Sequence, residues 1–153
     1  MKAKTPYSPL RQQSGFMLLE VLVSILIFSI GVLSIVGLQV ASVKQSSAAE
    51  HRTDASLLAN ELIGRMWVSN RTNATLNAQF STGGTEYAVW LPRVLAALPG
   101  AAASAPDVTV QSVPAGIVGG APSSLVTVSL WWKAPNEPAG DPMHDLTVVT
   151  QIK

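Results

Sequence analysis

Residues 16–38 read FMLLEVLVSILIFSIGVLSIVGL and contain a single charged side chain, Glu20. As a helix, this segment would be about 35 Å long, enough to cross the roughly 30 Å hydrocarbon core of a membrane. The competing interpretation is a cleaved secretory signal peptide, whose apolar region has about 7–15 residues and ends at a small-residue cleavage site. The length of the segment and the carboxylate within it favour a membrane-spanning helix.

The charges around this segment predict its orientation in the membrane. Residues 1–15 contain Lys2, Lys4 and Arg11 and no acidic residue, whereas residues 16–153 contain seven basic and nine acidic residues. The basic end is therefore expected to stay in the cytoplasm, and the C-terminal part to lie outside it. The mildly acidic bulk of the chain argues against nucleic-acid binding, which usually needs a basic face.

Glu20 lies only four residues inside the apolar run. A carboxylate held deep in lipid costs on the order of 2–3 kcal/mol, so such residues usually have a partner. A shallow position near the cytoplasmic headgroups would let the side chain reach water, and the sequence leaves this alternative open. The functional interpretation needs a cation that approaches Glu20 within an apolar assembly. Without one, the segment is an ordinary single-pass anchor.

The stretch GFMLLE at residues 15–20, preceded by a short basic leader, resembles the type IV prepilin signature, whose usual wording is GFTLIE. Its third and fifth positions carry Met and Leu instead. The resemblance implies that a prepilin peptidase cuts between Gly15 and Phe16 on the cytoplasmic face, and that the new Phe16 amine is N-methylated. It also implies that the Phe16 ammonium of one subunit pairs with Glu20 of another and sets the register of assembly.

Small residues recur three to four positions apart further along the segment, at Gly31, Ser34, Gly37 and Ala41. This spacing places them on one side of a helix, where a close helix contact can form, although glycine and serine are also simply tolerated in membrane helices. For pilins, the resemblance adds that this region can partly unwind during assembly. Gly31 and Gly37 are then the predicted points of flexibility.

The helical pattern continues beyond the apolar segment and predicts one helix over about residues 16–68. Leu, Ile, Met and Trp side chains recur at helical spacing over residues 57–67 and are expected to pack under a sheet. Asn70, Thr72 and Asn73 are predicted to end the helix, because these residue types favour caps and turns over helix interiors.

The remaining sequence predicts a small head. Apolar residues indicate a short helix over about residues 89–98, and Pro99-Gly100 follow it. Three runs with β-branched alternation, separated by Gly/Pro-rich loops, predict strands at Asp107–Val113, Ser124–Trp132 and Asp145–Ile152. The expected fold class is α+β, a long N-terminal helix packed under an antiparallel sheet of three or four strands. Type IV pilins have this layout, which the resemblance therefore also implies.

The chain contains no cysteine, so it cannot form the disulfide that closes the C-terminal region of many pilins. Packing must then hold the head together, and Trp90, Trp131 and Trp132 are expected to contribute through their large buried areas. Adjacent residues on a strand point to opposite faces. One of Trp131 and Trp132 is therefore expected to face the helix, and the other a neighbouring subunit.

The motifs of common enzyme and metal sites are absent from the sequence. His51 and His144 are its only histidines; they show no ligand spacing and are predicted to lie at the surface. The glycine-rich stretches at residues 83–84 and 116–120 lack the order of a phosphate-binding loop, and no G-x-S-x-G elbow is present. The chain is expected not to be an enzyme and to need no cofactor or metal.

These patterns and the prepilin resemblance together imply four segments: a cytoplasmic leader, a transmembrane and assembly helix, a periplasmic helical stem and a small α/β head. They cover residues 1–15, 16–40, 41–68 and 69–153. The resemblance implies the bacterial inner membrane before assembly, with a single span and the N-terminus in the cytoplasm, and the pilus afterwards.

The stretch ANELIGRM at residues 59–66, together with Asn70-Arg71, resembles the sequence after the stem in PilV-type minor pilins. The resemblance implies a structural subunit that helps prime pilus assembly or sits near the pilus tip. Its implied partners are the prepilin peptidase, other minor pilins, the major pilin, the inner membrane and, at the tip, an adhesin. The alternative is a minor pseudopilin of a type II secretion system. A membrane-anchored enzyme or ligand-binding domain is a third interpretation.

Overall fold

The computed structural model describes residues 14–116, 120–135 and 137–153. The predicted leader therefore lies outside the described residues except at Ser14 and Gly15, as does part of the glycine-rich stretch at 116–120. Three helices precede three strands in the described residues. They are α1 (Ser14–Val68), α2 (Asn73–Phe80), α3 (Thr85–Ala97), β1 (Asp107–Val113), β2 (Ser123–Trp132) and β3 (His144–Ile152).

The helix α1 begins and ends close to the positions that the sequence predicts. The chain divides into two compact units, and the boundary between them, at Gln45 and Ser46, falls within α1. In the first unit the described residues are helical, and near the N-terminus α1 is long and apolar enough to cross a membrane. The second unit contains the rest of α1 with all the other helices and strands.

The sheet in the second unit is antiparallel, with strand order β1-β2-β3. The strand predictions are confirmed: β1 has the predicted bounds, and β2 and β3 each begin one residue earlier than expected. Over residues 124–132 of β2, even-numbered residues are buried and odd-numbered ones half-buried, which is the alternation that one covered face requires. A long N-terminal helix with a three-stranded antiparallel sheet confirms the α+β layout.

One hydrophobic core joins the second part of α1 to the other helices and the sheet. Helical spacing puts one face of α1 into this core, namely Ala55, Leu58, Ala59, Leu62, Ile63 and Met66. Leu57 and Trp67, which the periodicity also included, lie outside it and are 63% and 44% exposed. The core also contains valines, Leu130, Trp132 and Ile152 of the sheet, and Phe80, Trp90 and Val94 are among the residues that α2 and α3 add.

The three tryptophans of the predicted head behave as large packing residues. Trp90 is completely buried, and its indole Nε1 donates a hydrogen bond of 3.0 Å to the backbone carbonyl of Leu58 in α1. Trp132 is buried as well, whereas Trp131 is half-buried on the opposite face of β2. The structure thus confirms that Trp131 and Trp132 point to opposite faces of β2. That Trp131 faces a neighbouring subunit stays a prediction.

Polar contacts also fasten α3 in place. The Glu61 carboxylate of α1 pairs with Arg65 at 2.9 Å and with Arg93 of α3, and Arg65 also lies 3.4 Å from Glu86 of α3. The Tyr87 hydroxyl of α3 donates a hydrogen bond of 2.7 Å to the carbonyl of Pro106. Burial, and secondarily the charge of Asp107, raises the pKa of Tyr87, so this hydroxyl remains a donor at neutral pH.

The short helix α2 was not predicted. Thr72 ends the turn after α1 and also caps α2, because its hydroxyl accepts a hydrogen bond from the backbone N–H of Thr75 at 3.4 Å. Leu76 and Phe80 are the only buried residues of α2. The third helix also starts earlier than residue 89, since Gly84 provides its N-cap position and Thr85 its first turn.

Gly84 lies at a close backbone approach, which gives a testable prediction. A Cβ atom built there would lie 2.4 Å from the carbonyl oxygen of Gln79. Gly84→Ala is therefore expected to destabilise the head by about 1–3 kcal/mol, the usual cost of forcing extra volume into a packed site. Chemical denaturation of the full chain in detergent, followed by tryptophan fluorescence, measures this change.

Gly64 is the matched control for Gly84. It lies within α1, and a Cβ atom there would meet nothing within 4 Å. Alanine is favoured over glycine inside a helix by about 0.5–1 kcal/mol, so Gly64→Ala is expected to stabilise the head slightly. Equal effects of the two substitutions would contradict the close approach at Gly84.

Candidate functional site

The candidate site is the N-terminal part of α1. Every residue from 16 to 45 is exposed, including Phe16 at 77% and Leu33 and Leu38 at 72% each. A soluble protein rarely leaves a continuous apolar surface of this size in contact with water. A surface of this kind marks a site of contact with a membrane or with another protein.

The hydroxyl groups of Ser24, Ser29 and Ser34 in this segment are satisfied within the helix. Ser24, Ser29 and Ser34 each donate a hydrogen bond to the backbone carbonyl four residues earlier, at 2.8, 2.7 and 2.9 Å. Such internal pairing is what an apolar environment requires, because no water is present to bond the polar groups. The hydroxyls therefore place no demand on a partner.

Glu20 is different. In the part of the chain that the structure describes, its carboxylate has no hydrogen-bond or ion-pair partner, and the side chain is exposed. A charge in apolar surroundings is expensive unless it is paired. The geometry therefore leaves one acidic group on an otherwise apolar helix surface, available to a cation from outside this chain.

Gly15 and Phe16 both lie within α1, just over one helical turn before Glu20. Phe16 and Glu20 are four residues apart and so share one side of the helix. The structure thus places the predicted processing position and the unpartnered carboxylate at the same end and on the same side of one element. Cleavage and methylation there stay predictions.

The helix is continuous through Gly31 and Gly37. A Cβ atom on either glycine would meet nothing within 4 Å, so packing within this chain does not require glycine at either position. Each glycine nevertheless weakens the helix by about 0.5–1 kcal/mol relative to alanine. This cost fits both sequence interpretations, a close contact with another helix or a point of flexibility, and both stay predictions.

Neither histidine completes a chemical site. The His144 imidazole lies 2.7 Å from a carboxylate oxygen of Glu137 and stacks on Trp132, with ring centroids 5.8 Å apart. This hydrogen bond is the main reason that the pKa of Glu137 is lowered. His51 is half-buried, and its Nδ1 has no hydrogen-bond partner among the described residues. Those residues also contain no group of three His, Asp or Glu side chains that could hold a metal ion.

The head has a surface depression of about 400 Å³ where the turn after α1 meets the start of β2. Asn70, Arg71, Ser123 and Lys153 are among the residues that line it. Ser124 also lines the depression, and its hydroxyl already accepts a hydrogen bond of 3.1 Å from the Asn73 side chain. No nucleophile with an adjacent base lines the depression, so its geometry does not define a reaction.

No protein-family model, curated protein or solved structure matches the chain. The candidate site is therefore defined by its own residues: an exposed apolar helix, an unpartnered Glu20 and the GFMLLE stretch at residues 15–20.

Proposed function

We propose that the chain is a minor type IV pilin, a membrane-inserted precursor that is processed at its N-terminus and built into a pilus as a structural subunit. The observation that carries the proposal is Glu20, a carboxylate without a partner among the described residues, on the exposed apolar part of α1. An ordinary anchor needs no such group. An assembly helix does, because a single buried charge can select one alignment of neighbouring subunits.

Processing supplies the cation. A cut between Gly15 and Phe16 would create an ammonium group at the start of the helix, where none exists in the precursor. The ammonium of a neighbouring subunit would then meet Glu20 only when the two helices are in register. Removing one member of a buried pair costs far more than the pair itself contributes. The interaction therefore selects the alignment rather than adding much net stability.

The head supports the structural role. Its core of helix and sheet residues is packed without a disulfide, and the second part of α1 is built into that core through Trp90 and Leu58. The head would then move with residues 46–68 of α1 as one packed body during assembly. In this proposal the chain is a PilV-type subunit that primes the fibre with other minor pilins or sits near its tip. It occupies the inner membrane before assembly.

Mass analysis of the N-terminus tests the proposal. In a host with a prepilin peptidase, the membrane form is expected to begin at Phe16 and to carry one methyl group on its amine. Gly15→Leu is the matched variant, since a bulky residue before the cut is expected to leave the leader attached. A wild-type chain that keeps Met1, or that starts beyond Leu38, would contradict the assignment.

The secretion pseudopilin differs in where the processed chain goes. Recovery of the mature chain in the sheared pilus fraction supports the pilus subunit. Retention of all the mature chain in the envelope, together with components of a type II secretion system, would assign it to the pseudopilus instead.

A further inference from the structure

The surface depression of about 400 Å³ in the head is lined by three separate parts of the chain. Residues 70–73 form the turn between α1 and α2, residues 121–124 lead into β2, and Lys153 follows β3. All of them belong to the second compact unit. Sites for small molecules have volumes of roughly 300–1,000 Å³, so the depression is large enough to hold one.

The charged residues that line this depression are all positive. Arg71 and Lys153 are both exposed, and neither has an ion-pair partner among the described residues. Within the described ranges, no aspartate or glutamate lines the depression. By contrast, Arg65 and Arg93 are paired with acidic side chains of α1 and α3. Two like charges beside one depression favour an anion between them.

A buried hydroxyl adds a hydrogen-bond donor to the same place. Ser124 lines the depression and is only 1% exposed. Its oxygen accepts a hydrogen bond from Nδ2 of Asn73, and its proton has no acceptor in the part of the chain that the structure describes. Buried polar groups are normally satisfied by protein, water or a ligand. Ser124 is therefore able to donate to an acceptor atom held in the depression.

The arrangement of these donors favours a phosphate group over a carboxylate. Arg71, Lys153 and Ser124 come from three different segments, so they approach the depression from different sides. A phosphate monoester offers three terminal oxygens to such donors, whereas a carboxylate offers two. Ala121 and Pro122 also line the depression and provide apolar contacts. These contacts suit a phosphate that carries an organic group.

We propose that the depression binds a small organic phosphate, whose phosphate group lies between Arg71 and Lys153 and accepts a hydrogen bond from Ser124. The organic group lies against Ala121 and Pro122. Because both cations are exposed, binding is expected to be weak and to weaken further with salt. The site uses only residues outside α1, so it goes beyond the proposed function and does not depend on N-terminal processing.

A titration of the isotope-labelled full chain in non-ionic detergent micelles tests the site, with ethyl phosphate as the probe and the ionic strength held constant. The amide NMR signals of residues 71–73 and 121–124 are expected to shift and to saturate, apart from Pro122, which has no N–H. Signals of α3 should not change. Inorganic phosphate and acetate should bind more weakly than ethyl phosphate. Acetate that binds as tightly, or the absence of saturable shifts at these residues, would overturn the proposal.

Charge variants test whether the two cations hold the phosphate group. Arg71→Gln and Lys153→Gln are each expected to raise the Kd for ethyl phosphate roughly threefold, and the double variant about tenfold, as for exposed ion pairs. Arg52→Gln is the matched control, because it removes an exposed positive charge of α1 that does not line the depression. It should leave the Kd unchanged. An equal loss in the control, or a wild-type Kd in the double variant, would contradict the site.

Ser124→Ala tests the hydroxyl without changing the charge. The Kd for ethyl phosphate is expected to rise roughly threefold, the effect of losing one hydrogen bond. The amide signals of β3 and α3 report whether the head of this variant keeps its fold. With the fold intact, an unchanged Kd would exclude Ser124 from the site, and the charge variants test the rest of the proposal independently.

Discussion

Replacing Glu20 with alanine is expected to leave N-terminal processing intact and to reduce recovery of the chain in sheared pili by at least about tenfold. The carboxylate is exposed and unpartnered within the described part of the chain, so its removal does not disturb the fold. In the fibre, however, the Phe16 ammonium of a neighbouring subunit would be left without a counter-charge. Leaving one member of a buried ion pair unpaired typically costs about 3–5 kcal/mol.

Ser24→Ala is the matched control for Glu20. It removes a polar group one turn further along the same side of α1, but that hydroxyl is already bonded to the carbonyl of Glu20 at 2.8 Å. Recovery in pili should therefore be unchanged. Glu20→Gln removes the charge but keeps nearly the same side-chain shape. It is expected to behave like the alanine variant. Normal recovery of the Glu20→Ala variant in pili would contradict the proposal that Glu20 sets the register between subunits.

The elements that the sequence predicted well are those with a long or regular pattern. The helix α1 follows from an apolar run and an extended helical period, and the structure places it at Ser14–Val68. The strands follow from β-branched alternation between Gly/Pro-rich loops, and their bounds agree within one residue. Local sequence is sufficient in these cases because many residues repeat the same signal.

The helix α2 escaped prediction because its signal is short and serves two purposes. In the sequence, Asn70, Thr72 and Asn73 indicate only the end of α1, yet Thr72 also caps the following helix. With just two buried residues, Leu76 and Phe80, α2 has too little periodicity to be distinguished from a loop. Its position depends on tertiary packing instead.

The sequence predicts the candidate site better than it predicts contacts between distant parts of the chain. That Glu20 interrupts an apolar run is visible in the sequence. The depression lined by Arg71 and Lys153 is not visible there, because it depends on tertiary packing that places distant segments side by side. The pairing of Glu61 with Arg93, 32 residues away, likewise depends on how α1 and α3 pack.

The core of the head provides the second large expected effect. Trp90→Ala is expected to lower the free energy of unfolding of the head by about 3–5 kcal/mol, because Trp90 is completely buried and nothing nearby can fill its volume without rearrangement. A domain of this size is stabilised by only about 5–15 kcal/mol in total. Denaturant unfolding of the full chain in detergent, followed by near-ultraviolet circular dichroism, measures the loss without interference from the α1 backbone signal.

Two further variants separate the causes of that loss. Trp67→Ala makes the same chemical change at a side chain that is 44% exposed, and it is expected to cost less than about 1 kcal/mol. Trp90→Phe keeps an aromatic ring but removes the indole N–H that bonds the Leu58 carbonyl, so it should fall between the other two variants. Equal effects of Trp90→Ala and Trp67→Ala would contradict the conclusion that the contact of Trp90 with α1 stabilises the head.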